Sequence, residues 1–317
     1  MDVSVIVVNW NTEVLLHNCL KSIYEQAGDV DFKVIVVDNA STDGSAGMVK
    51  KNYPDVTLIE NSENRGYAAA CNQGMRIADS RYVLILNSDT LIRDSAIEKT
   101  LRYAEKHPEA AIVGCQVWEA QDKIQMTCFR FPSLLNLFLR ASGLAKAFKS
   151  NRFFGRENMF WWPRDTERQV EVVSGVFMLV RQEAIHQVGL MDEAYFLYYE
   201  ETDWCYRFSK AGWKMLFWPG ARIIHIDGGS HSANQNALKM SVQYQKSFFI
   251  FFKKHYSTAS YLMARILWTL YTAMKYFGYA LFLLVRRIKG KNADCELAEK
   301  QNRWSSLKYC ALGSEPK

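Results

Sequence analysis

The sequence lacks several patterns that would place it in a familiar class. Its seven cysteines are odd in number and form no CxxC pair, which disfavours a disulfide framework or a cysteine zinc site and favours reduced thiols in a cytoplasmic setting. No G-x-G-x-x-G run follows the first apolar segment, so a dinucleotide-dependent dehydrogenase is disfavoured. Because "MDVSVIVVNWN" contains no basic stretch before a long apolar run, we expect no signal peptide.

The composition excludes disorder as the default state. With 317 residues, 49% of them hydrophobic, the chain can bury a substantial core in one large α/β domain or two modest ones. Lysine and arginine number 39 against 33 aspartate and glutamate residues, a formal charge of +6 that suits anionic partners. No compact basic-aromatic motif accompanies this charge, so we expect no nucleic-acid partner.

Four apolar runs rich in valine and isoleucine are typical of buried parallel strands: 3–9, 32–39, 56–60 and 81–87. Helical patterns lie between and after them: 13–26, 43–51, 67–78 and 94–106. This alternation predicts an α/β fold with a mainly parallel central sheet and helices on both faces. Ligands of such sheets bind beyond the carboxyl ends of the strands, so we expect one functional rim: 9–11, 38–43 and 87–89.

The pattern changes after about residue 112, where we expect the sheet to continue with mixed strand directions. No long linker separates the halves, which predicts one domain over 1–255 with two lobes, 1–112 and 113–255. Residues 256–317 are predicted to form a membrane-associated helical tail.

Within this tail, residues 266–285 form a twenty-residue apolar stretch with a single charge, Lys275, followed by "RRIKGK". Its length and basic flank fit a membrane span, whereas its aromatic residues and lysine fit a helix in the membrane interface. A buried core helix is the third interpretation. We favour the interfacial helix, paired with 134–148, which predicts a location at the cytoplasmic face of the inner membrane.

Polar residues follow two strands of the predicted rim. Asp38 ends the second apolar run, where its carboxylate can accept hydrogen bonds from a pyrimidine imide or a ribose hydroxyl; Asp43 fits a turn or a helix cap better. Asn64 and Arg65 precede Gly66 and a run of small residues, an arrangement that favours a phosphate at a helix N-terminus.

A single carboxylate, Asp89, follows the fourth strand in "LNSDT". Magnesium needs few protein ligands when a diphosphate supplies the others, so Asp89 can serve as a metal ligand, but an aspartate before threonine is also ordinary capping. His225 ends a short β-like run. Its neutral imidazole can complete a metal shell, although such a histidine more often satisfies a backbone group.

Three carboxylates lie within four residues of "YYEETDWCYR": Glu200, Glu201 and Asp203. Their mutual repulsion favours a functional role as general base, metal ligand or cation partner, whereas an acidic first helical turn is the structural alternative. On a helix, Glu200 and Asp203 share a face and Glu201 points elsewhere.

In consistent order over residues 2–255, the segments "VSVIVVNWN", "VVDNASTDGS", "ENRGYAAACNQG", "LILNSDT", "YYEETDWCYR" and "RIIHIDGGS" resemble the family 2 glycosyltransferases with the GT-A fold. The resemblance is strongest to the bacterial rhamnosyltransferase-like branch. It implies an inverting transferase: an acceptor hydroxyl attacks a nucleotide-diphosphate sugar in line, a general base takes the proton, and Mg²⁺ or Mn²⁺ stabilises the leaving diphosphate.

The resemblance also implies a nucleotide-binding half over 1–112, an acceptor half over 113–255 and roles for individual residues. Glu201 matches the catalytic base, with Glu200 beside it. Asp203 matches an acceptor-side acid of the same motif, and Asp89 matches the metal-binding acid. Asn87 stands at the first acidic position of the DxD-type motif, which leaves His225 as the candidate second metal ligand. The remaining implied contacts are with the nucleotide sugar (Asn9, Asn11, Asp38, Asn64, Arg65, Gly66, Asn72 and Ser88) and with the acceptor (Ser174, Gly175 and Trp204).

By the same resemblance, the expected donor is dTDP-L-rhamnose and the expected acceptor is a saccharide on undecaprenyl diphosphate, in cell-surface polysaccharide or O-antigen synthesis. Two alternatives stay open. The same fold transfers galactofuranose, glucose or N-acetylhexosamine in related enzymes, and a non-catalytic membrane-surface protein that binds nucleotide sugars would keep the fold without the reaction.

Overall fold

The computed structural model describes residues 1–119, 123–226 and 237–288. The end of the predicted tail, 289–317, lies outside the described residues. Each expected element of the first half is present with its bounds shifted by two residues or fewer, which confirms the α/β alternation.

The strands of the described residues are β1 Val3–Asn9, β2 Phe32–Asp38, β3 Thr57–Glu60, β4 Tyr82–Asn87, β5 Thr90–Ile92, β6 Ala110–Glu119, β7 Cys128–Phe129, β8 Arg168–Val170, β9 Val172–Val173, β10 Phe177–Arg181 and β11 Lys214–His225. The helices are α1 Glu13–Gln26, α2 Ser45–Asn52, α3 Tyr67–Arg76, α4 Ala96–Lys106, α5 Leu134–Ala141, α6 Leu144–Ala147, α7 Gln182–Val188, α8 Glu200–Lys210, α9 Ala237–His255 and α10 Thr258–Ile288.

The central sheet has the strand order β3-β2-β1-β4-β10-β6-β11-β5, and β8 pairs with β11 outside this path. The pairs from β3 to β4 are parallel, as is the pair of β6 and β11, whereas β10 runs antiparallel to both of its neighbours. The second half therefore has the mixed directions that the sequence predicts. Two apolar clusters cover the two faces of the sheet, because successive side chains of each buried strand point to opposite faces.

The register of the parallel strands aligns the ends that carry polar residues. Asn9 of β1 is paired with Asp38 of β2, and Val8 of β1 is paired with Asn87 of β4. His225, the last residue of β11, is paired with Thr90 of β5, one residue beyond Asp89. Residues far apart in the sequence therefore meet at one edge of the sheet.

The chain forms two compact units, of which the first comprises Met1–Phe131 with Asn158–Gly228 and the second Pro132–Glu157 with Gly229–Lys317. The first unit contains both sheets with α1 to α4, α7 and α8. The second contains α5, α6, α9 and α10. The predicted functional boundaries at 112 and 255 stay a prediction.

Aromatic contacts hold the helices of the second unit together. The rings of Phe248 in α9 and Trp268 in α10 have centroids 4.4 Å apart, and the guanidinium of Arg140 in α5 lies 5.6 Å from the Trp268 ring centroid. The predicted pairing of 134–148 with 266–285 is thus present. Of the helices in the described residues, none combines the length and apolar character that crossing a membrane requires.

Candidate active site

The ends of β1 and β2 form a hydrogen-bonded polar cluster. Asn9 Nδ2 donates to Asp38 Oδ2 and to Ser41 Oγ, both at 3.0 Å, and the Ser41 backbone N–H donates to Asp38 Oδ1 at 2.8 Å. Thr12 Oγ1 lies 3.0 Å from Ser88 Oγ, which connects this cluster to the end of β4. The structure thus brings together four residues predicted to bind the nucleotide sugar: Asn9, Asn11, Asp38 and Ser88.

Asp43 has the structural role that its sequence context favours. Its carboxylate accepts the backbone N–H groups of Glu13 and Ser45, at 2.8 and 3.1 Å. Burial opposes ionisation of Asp43, but the hydrogen bonds from Ser45 and Glu13 outweigh it and hold the pKa of this carboxyl below its ordinary value. Asp43 therefore fixes the turn that precedes α2.

The segment before α3 is shaped by amide side chains. Asn39 Nδ2 donates to Asn64 Oδ1 at 2.9 Å, and Asn39 Oδ1 accepts the Arg65 backbone N–H at 3.0 Å. Gly66 has φ 83°, and a Cβ at this position would lie 2.5 Å from the Phe196 carbonyl oxygen, so the close approach requires glycine. Arg65 itself is exposed, so its guanidinium group is available to an anionic ligand.

Asn72 has a different role from the predicted nucleotide-sugar contact. It is buried on α3, where Nδ2 donates to the Met191 carbonyl and to Glu193 Oε1, both at 2.9 Å, and Oδ1 accepts the Met191 N–H at 3.0 Å. These bonds use the hydrogen-bonding capacity of the amide. Asn72 therefore anchors the loop that leads to α8.

Asp89 and His225 bring two potential metal ligands together. Asp89 Oδ1 lies 3.0 Å from His225 Nε2, and the histidine is 4% exposed. Nevertheless, Nε2 has no hydrogen-bond partner among the described residues, because its direction to Asp89 does not satisfy hydrogen-bond geometry. A buried ring nitrogen without a partner beside a carboxylate oxygen fits a divalent cation.

Asn87 does not contribute to this pair of ligands. Its Oδ1 accepts a hydrogen bond of 3.0 Å from the hydroxyl of Tyr67, which also lies 3.2 Å from the Gly175 carbonyl. Within the described residues, no group of three or more histidine, cysteine, aspartate and glutamate side chains is arranged to hold a metal. A cation here would therefore take its other ligands from substrate and water.

Glu200 and Glu201 form a buried acidic pair at the start of α8. Burial raises the pKa of Glu200 well above its ordinary value, and the charge of Glu201 raises it further; burial also raises the pKa of Glu201. Oε2 of each glutamate is enclosed and has no partner within the described residues. Glu201 is the more accessible of the two, since Glu200 is 4% exposed. A carboxylate with a raised pKa and a free oxygen is suited to accept a proton.

Tyr67 connects the two parts of the site. Burial raises its pKa well above the ordinary value, and the nearby carboxylates of Glu200 and Glu201 raise it further. Its hydroxyl also contacts Asn87, two residues before Asp89. The start of α3 therefore lies between the acidic pair and the end of β4.

The geometry of Asp203 differs from the predicted acceptor-side role. The residue is completely buried, Oδ2 accepts from Arg207 Nε at 2.7 Å, and the Tyr195 hydroxyl lies 3.4 Å from Oδ1. The Arg207 guanidinium in turn donates to the Val188 and Leu190 carbonyls. Asp203 therefore positions the start of α8 rather than presenting a carboxylate to an acceptor.

The prediction that Trp204 binds the acceptor conflicts with its position. Trp204 is completely buried, its Nε1 donates to the Gly189 carbonyl at 2.8 Å, and its ring packs on Phe208. The reason is helical periodicity, which turns this position of α8 into the core. Ser174 and Gly175 are half-buried next to Tyr67, so their predicted role as acceptor contacts stays a prediction.

The sequence interpretation missed Tyr67, Gln125 and Asn39. Tyr67 carried a signal, because it directly follows the glycine that starts α3. Gln125 Oε1 lies 2.8 Å from His225 Nδ1 across 100 sequence positions, and no sequence pattern indicates that contact.

Comparison with known proteins identifies the family to which this fold and site belong. Residues 4–189, more than half of the chain, match the family model described as glycosyl transferase family 2. The chain therefore belongs to glycosyl transferase family 2.

Relatives of known name are consistent with this assignment. The chain is 29% identical over 251 residues to an N-acetylglucosaminyl-diphospho-decaprenol L-rhamnosyltransferase of Mycobacterium tuberculosis. The aligned region covers 75% of this chain and 79% of the relative. It is 25% identical over 210 residues to a low-salt glycan biosynthesis hexosyltransferase of Haloferax volcanii, which covers 65% of this chain and 61% of the relative.

A solved structure has the same fold. This is a mannosyltransferase from Pyrobaculum calidifontis in complex with GDP-mannose and Mn²⁺, with a TM-score of 0.58 and 17% identity, covering 99% of this chain and 88% of that one. At this identity the likeness concerns the fold, which is the GT-A-like α/β architecture that the sequence predicts.

Proposed function

We propose that the protein is an inverting glycosyltransferase that transfers L-rhamnose from dTDP-L-rhamnose to a hydroxyl of a lipid-linked saccharide in cell-surface polysaccharide synthesis. The structural observation that supports this reaction is that Oε2 of Glu201 is enclosed and has no hydrogen-bond partner within the described residues. The name of the mycobacterial relative, which specifies a rhamnosyl group and a lipid diphosphate acceptor, supports the choice of substrates.

In the proposed reaction, an acceptor hydroxyl oxygen forms a bond to the anomeric carbon while the bond from that carbon to the diphosphate breaks. The bonding electrons leave with the nucleoside diphosphate, and the hydroxyl proton passes to Glu201. Because burial raises the pKa of Glu201, its carboxylate is a stronger base than a solvated one.

The polar cluster around Asp38 would bind the nucleotide. Asp38 holds a fixed orientation because Asn9 and the Ser41 N–H both donate to it. Arg65, exposed before α3, would contact the diphosphate. These residues orient the donor so that its anomeric carbon faces the acceptor.

Asp89 and His225 would hold a divalent cation, Mg²⁺ or Mn²⁺, and the cation when bound neutralises charge on the leaving diphosphate. The carboxylate oxygen and the ring nitrogen are both acceptable ligands for these ions.

The proposed reaction is tested with a panel of dTDP- and UDP-sugars, an undecaprenyl diphosphate saccharide and Mn²⁺, by measuring which nucleotide is released. We expect Glu201→Gln to lower turnover about 10²- to 10⁴-fold with donor affinity retained, because an amide cannot accept the proton. Glu183→Gln, which changes an exposed glutamate on α7, is the matched control and should leave turnover unchanged.

The other outcomes separate the alternatives. Release of UDP without release of dTDP would replace the rhamnose donor by another sugar nucleotide. Full activity of Glu201→Gln would contradict the role of the base, and nucleotide-sugar binding without turnover by the native chain would favour a non-catalytic binder.

We also propose that the second unit docks on the cytoplasmic face of the membrane, where a lipid-linked acceptor resides. Large apolar side chains at helical spacing are exposed along α10: Leu262, Ile266, Leu270, Met274, Phe277 and Leu281. Phe277, for example, is 65% exposed. Such a continuous apolar stripe is typical of a helix lying in the membrane interface.

The charges of the second unit favour an anionic bilayer as the partner of this stripe. Residues 237–288 contain no aspartate or glutamate, and they carry the following basic residues: Lys239, Lys246, Lys253, Lys254, Arg265, Lys275, Arg286 and Arg287. Basic residues near an amphipathic helix are attracted to anionic headgroups by about 1 kcal/mol each.

A further inference from the structure

We infer that Gln125 is a positioning residue for the proposed cation, because it selects the tautomer of His225 that leaves Nε2 free for a metal. The inference rests on the proposed metal-dependent function and adds a residue that contacts neither the donor nor the acceptor.

The two ring nitrogens of His225 have different surroundings. Nδ1 faces Gln125 Oε1 at 2.8 Å, whereas Nε2 faces Asp89 Oδ1 at 3.0 Å without hydrogen-bond geometry. An amide oxygen only accepts hydrogen bonds, so the proton of a neutral ring lies on Nδ1. Nε2 then keeps its lone pair, which is available to a metal ion.

This arrangement is unfavourable unless a cation completes it. A ring lone pair and a carboxylate oxygen 3.0 Å apart repel each other, whereas a divalent ion attracts both. Without an acceptor at Nδ1, the ring proton can move to Nε2. Nε2 then has no lone pair to offer a metal ion.

Gln125 is held in place by the backbone. Its N–H donates to the Val117 carbonyl at 2.8 Å, and the preceding residue, Ile124, forms an isolated bridge with Trp118. Both partners lie in β6, which is paired with β11 in a parallel register that aligns His225 with Glu119. These backbone contacts hold Gln125 beside β6, so its side-chain oxygen Oε1 reaches the ring at the end of β11.

Replacement of Gln125 tests the inference through metal affinity. Mn²⁺ is titrated calorimetrically into each variant in the presence of dTDP, and in parallel with UDP. We expect Gln125→Leu to weaken Mn²⁺ binding about 10- to 100-fold, as is typical when the hydrogen-bond partner of a ligating histidine is lost. Gln125→Glu should retain binding, because a carboxylate also accepts the Nδ1 proton. Lys123→Ala, which alters an exposed side chain two residues away, is the control and should bind Mn²⁺ like the native chain.

The tautomer itself is read from ¹⁵N-histidine NMR spectra of the metal-free protein, with His225→Ala used for assignment. We expect the native ring to carry its proton on Nδ1 and the Gln125→Leu ring to carry it on Nε2. The position of the ring proton would not change if Gln125 only supported the fold. The melting temperature of each variant tests folding separately.

Two results would overturn the inference, and they differ in meaning. Equal Mn²⁺ affinity of the native and Gln125→Leu proteins, with an unchanged tautomer, would overturn the role of Gln125 alone. Failure of the native protein to bind Mn²⁺ with either nucleotide would overturn the proposed metal dependence, and the inference with it.

Discussion

At the scale of single residues, the site contains carboxyl groups whose surroundings disfavour the ionised form. Glu200 is almost completely buried beside Glu201, and no basic side chain forms an ion pair with either glutamate among the described ion pairs. Burial and mutual repulsion both favour the protonated form. Such groups lower the stability of the folded state and persist where the chemistry requires them.

Because the ionised form of Glu200 destabilises the folded state, we expect the free energy of unfolding to depend on pH. Its pKa is raised in the folded state, so its favourable contribution is complete below the unfolded-state pKa of about 4.3 and is lost as pH rises through the raised value. The uncharged Glu200→Gln variant avoids that loss. We expect it to be more stable than the native protein at pH 8, with the difference disappearing near pH 4, as measured by urea unfolding.

The exposed Glu183→Gln variant again serves as the control, because it should follow the native protein at both pH values. If Glu200→Gln destabilised the protein equally at pH 4 and pH 8, the acidic pair would not be the source of the cost.

At the scale of secondary structure elements, α3 joins the end of β2 to the acidic pair of α8. Its first residue, Tyr67, donates its backbone N–H to the Phe196 carbonyl at 2.7 Å, and Asn72 and Arg76 bind the loop around Glu193. This loop leads directly into α8 and the acidic pair. The helix therefore determines where Glu201 lies relative to the rim of the sheet.

Two glycines allow the effect of this close packing to be separated from the effect of backbone strain. Gly66 and Gly189 have similar conformations, with φ 83° and ψ 167° against φ 88° and ψ 178°. A Cβ at Gly66 would lie 2.5 Å from the Phe196 carbonyl oxygen, whereas nothing lies within 4 Å of a Cβ at Gly189. Both alanine variants should lose about 1–3 kcal/mol of stability through the backbone.

We expect Gly66→Ala to lower kcat in addition, because the Phe196 loop must move away and Glu201 moves with it. Gly189→Ala should keep the native kcat when assayed below its melting temperature. Equal kcat values for the two variants would show that the approach of α3 to the loop does not position the base.

At the scale of the whole molecule, the proposal of membrane docking predicts selective binding to anionic vesicles. We expect the full chain to float with phosphatidylglycerol vesicles and to bind phosphatidylcholine vesicles weakly. The double variant Leu270→Glu/Phe277→Glu should abolish flotation, because it places charge in the apolar stripe of α10. Val14→Glu, which changes an exposed apolar residue of α1, should float like the native protein.

Flotation of the double variant at the native level would contradict docking through this stripe. Dimerisation of the full chain that is lost in the double variant, without vesicle binding, would assign the stripe to contact between copies of the chain. Removal of residues 258–317 should move the protein to the soluble fraction of a cell lysate if the membrane is the partner.

Much of the fold was predictable because local patterns specify it. The valine-rich runs that became β1, β2 and β4 are buried on both faces, and continuous apolar character is what such strands require. The ends of the strands can also be located from local patterns. The order of elements therefore predicted that Asp38 and Asp89 lie at the same rim of the sheet. The helical spacing within "EETDW" predicted that the acids would point in different directions.

The alternation of strands and helices and the residue types at the strand ends can be read along the chain, because both depend on sequence neighbours. Which polar side chains face the rim, and which form hydrogen bonds within the core, depends on contacts between distant segments. Asn72, Asp203 and Trp204 turned inward because their partners, in the segment around 188–193 and in Arg207, fold against them. His225 reached Asp89 and Gln125 through strand pairing between distant segments, a contact that no local pattern encodes.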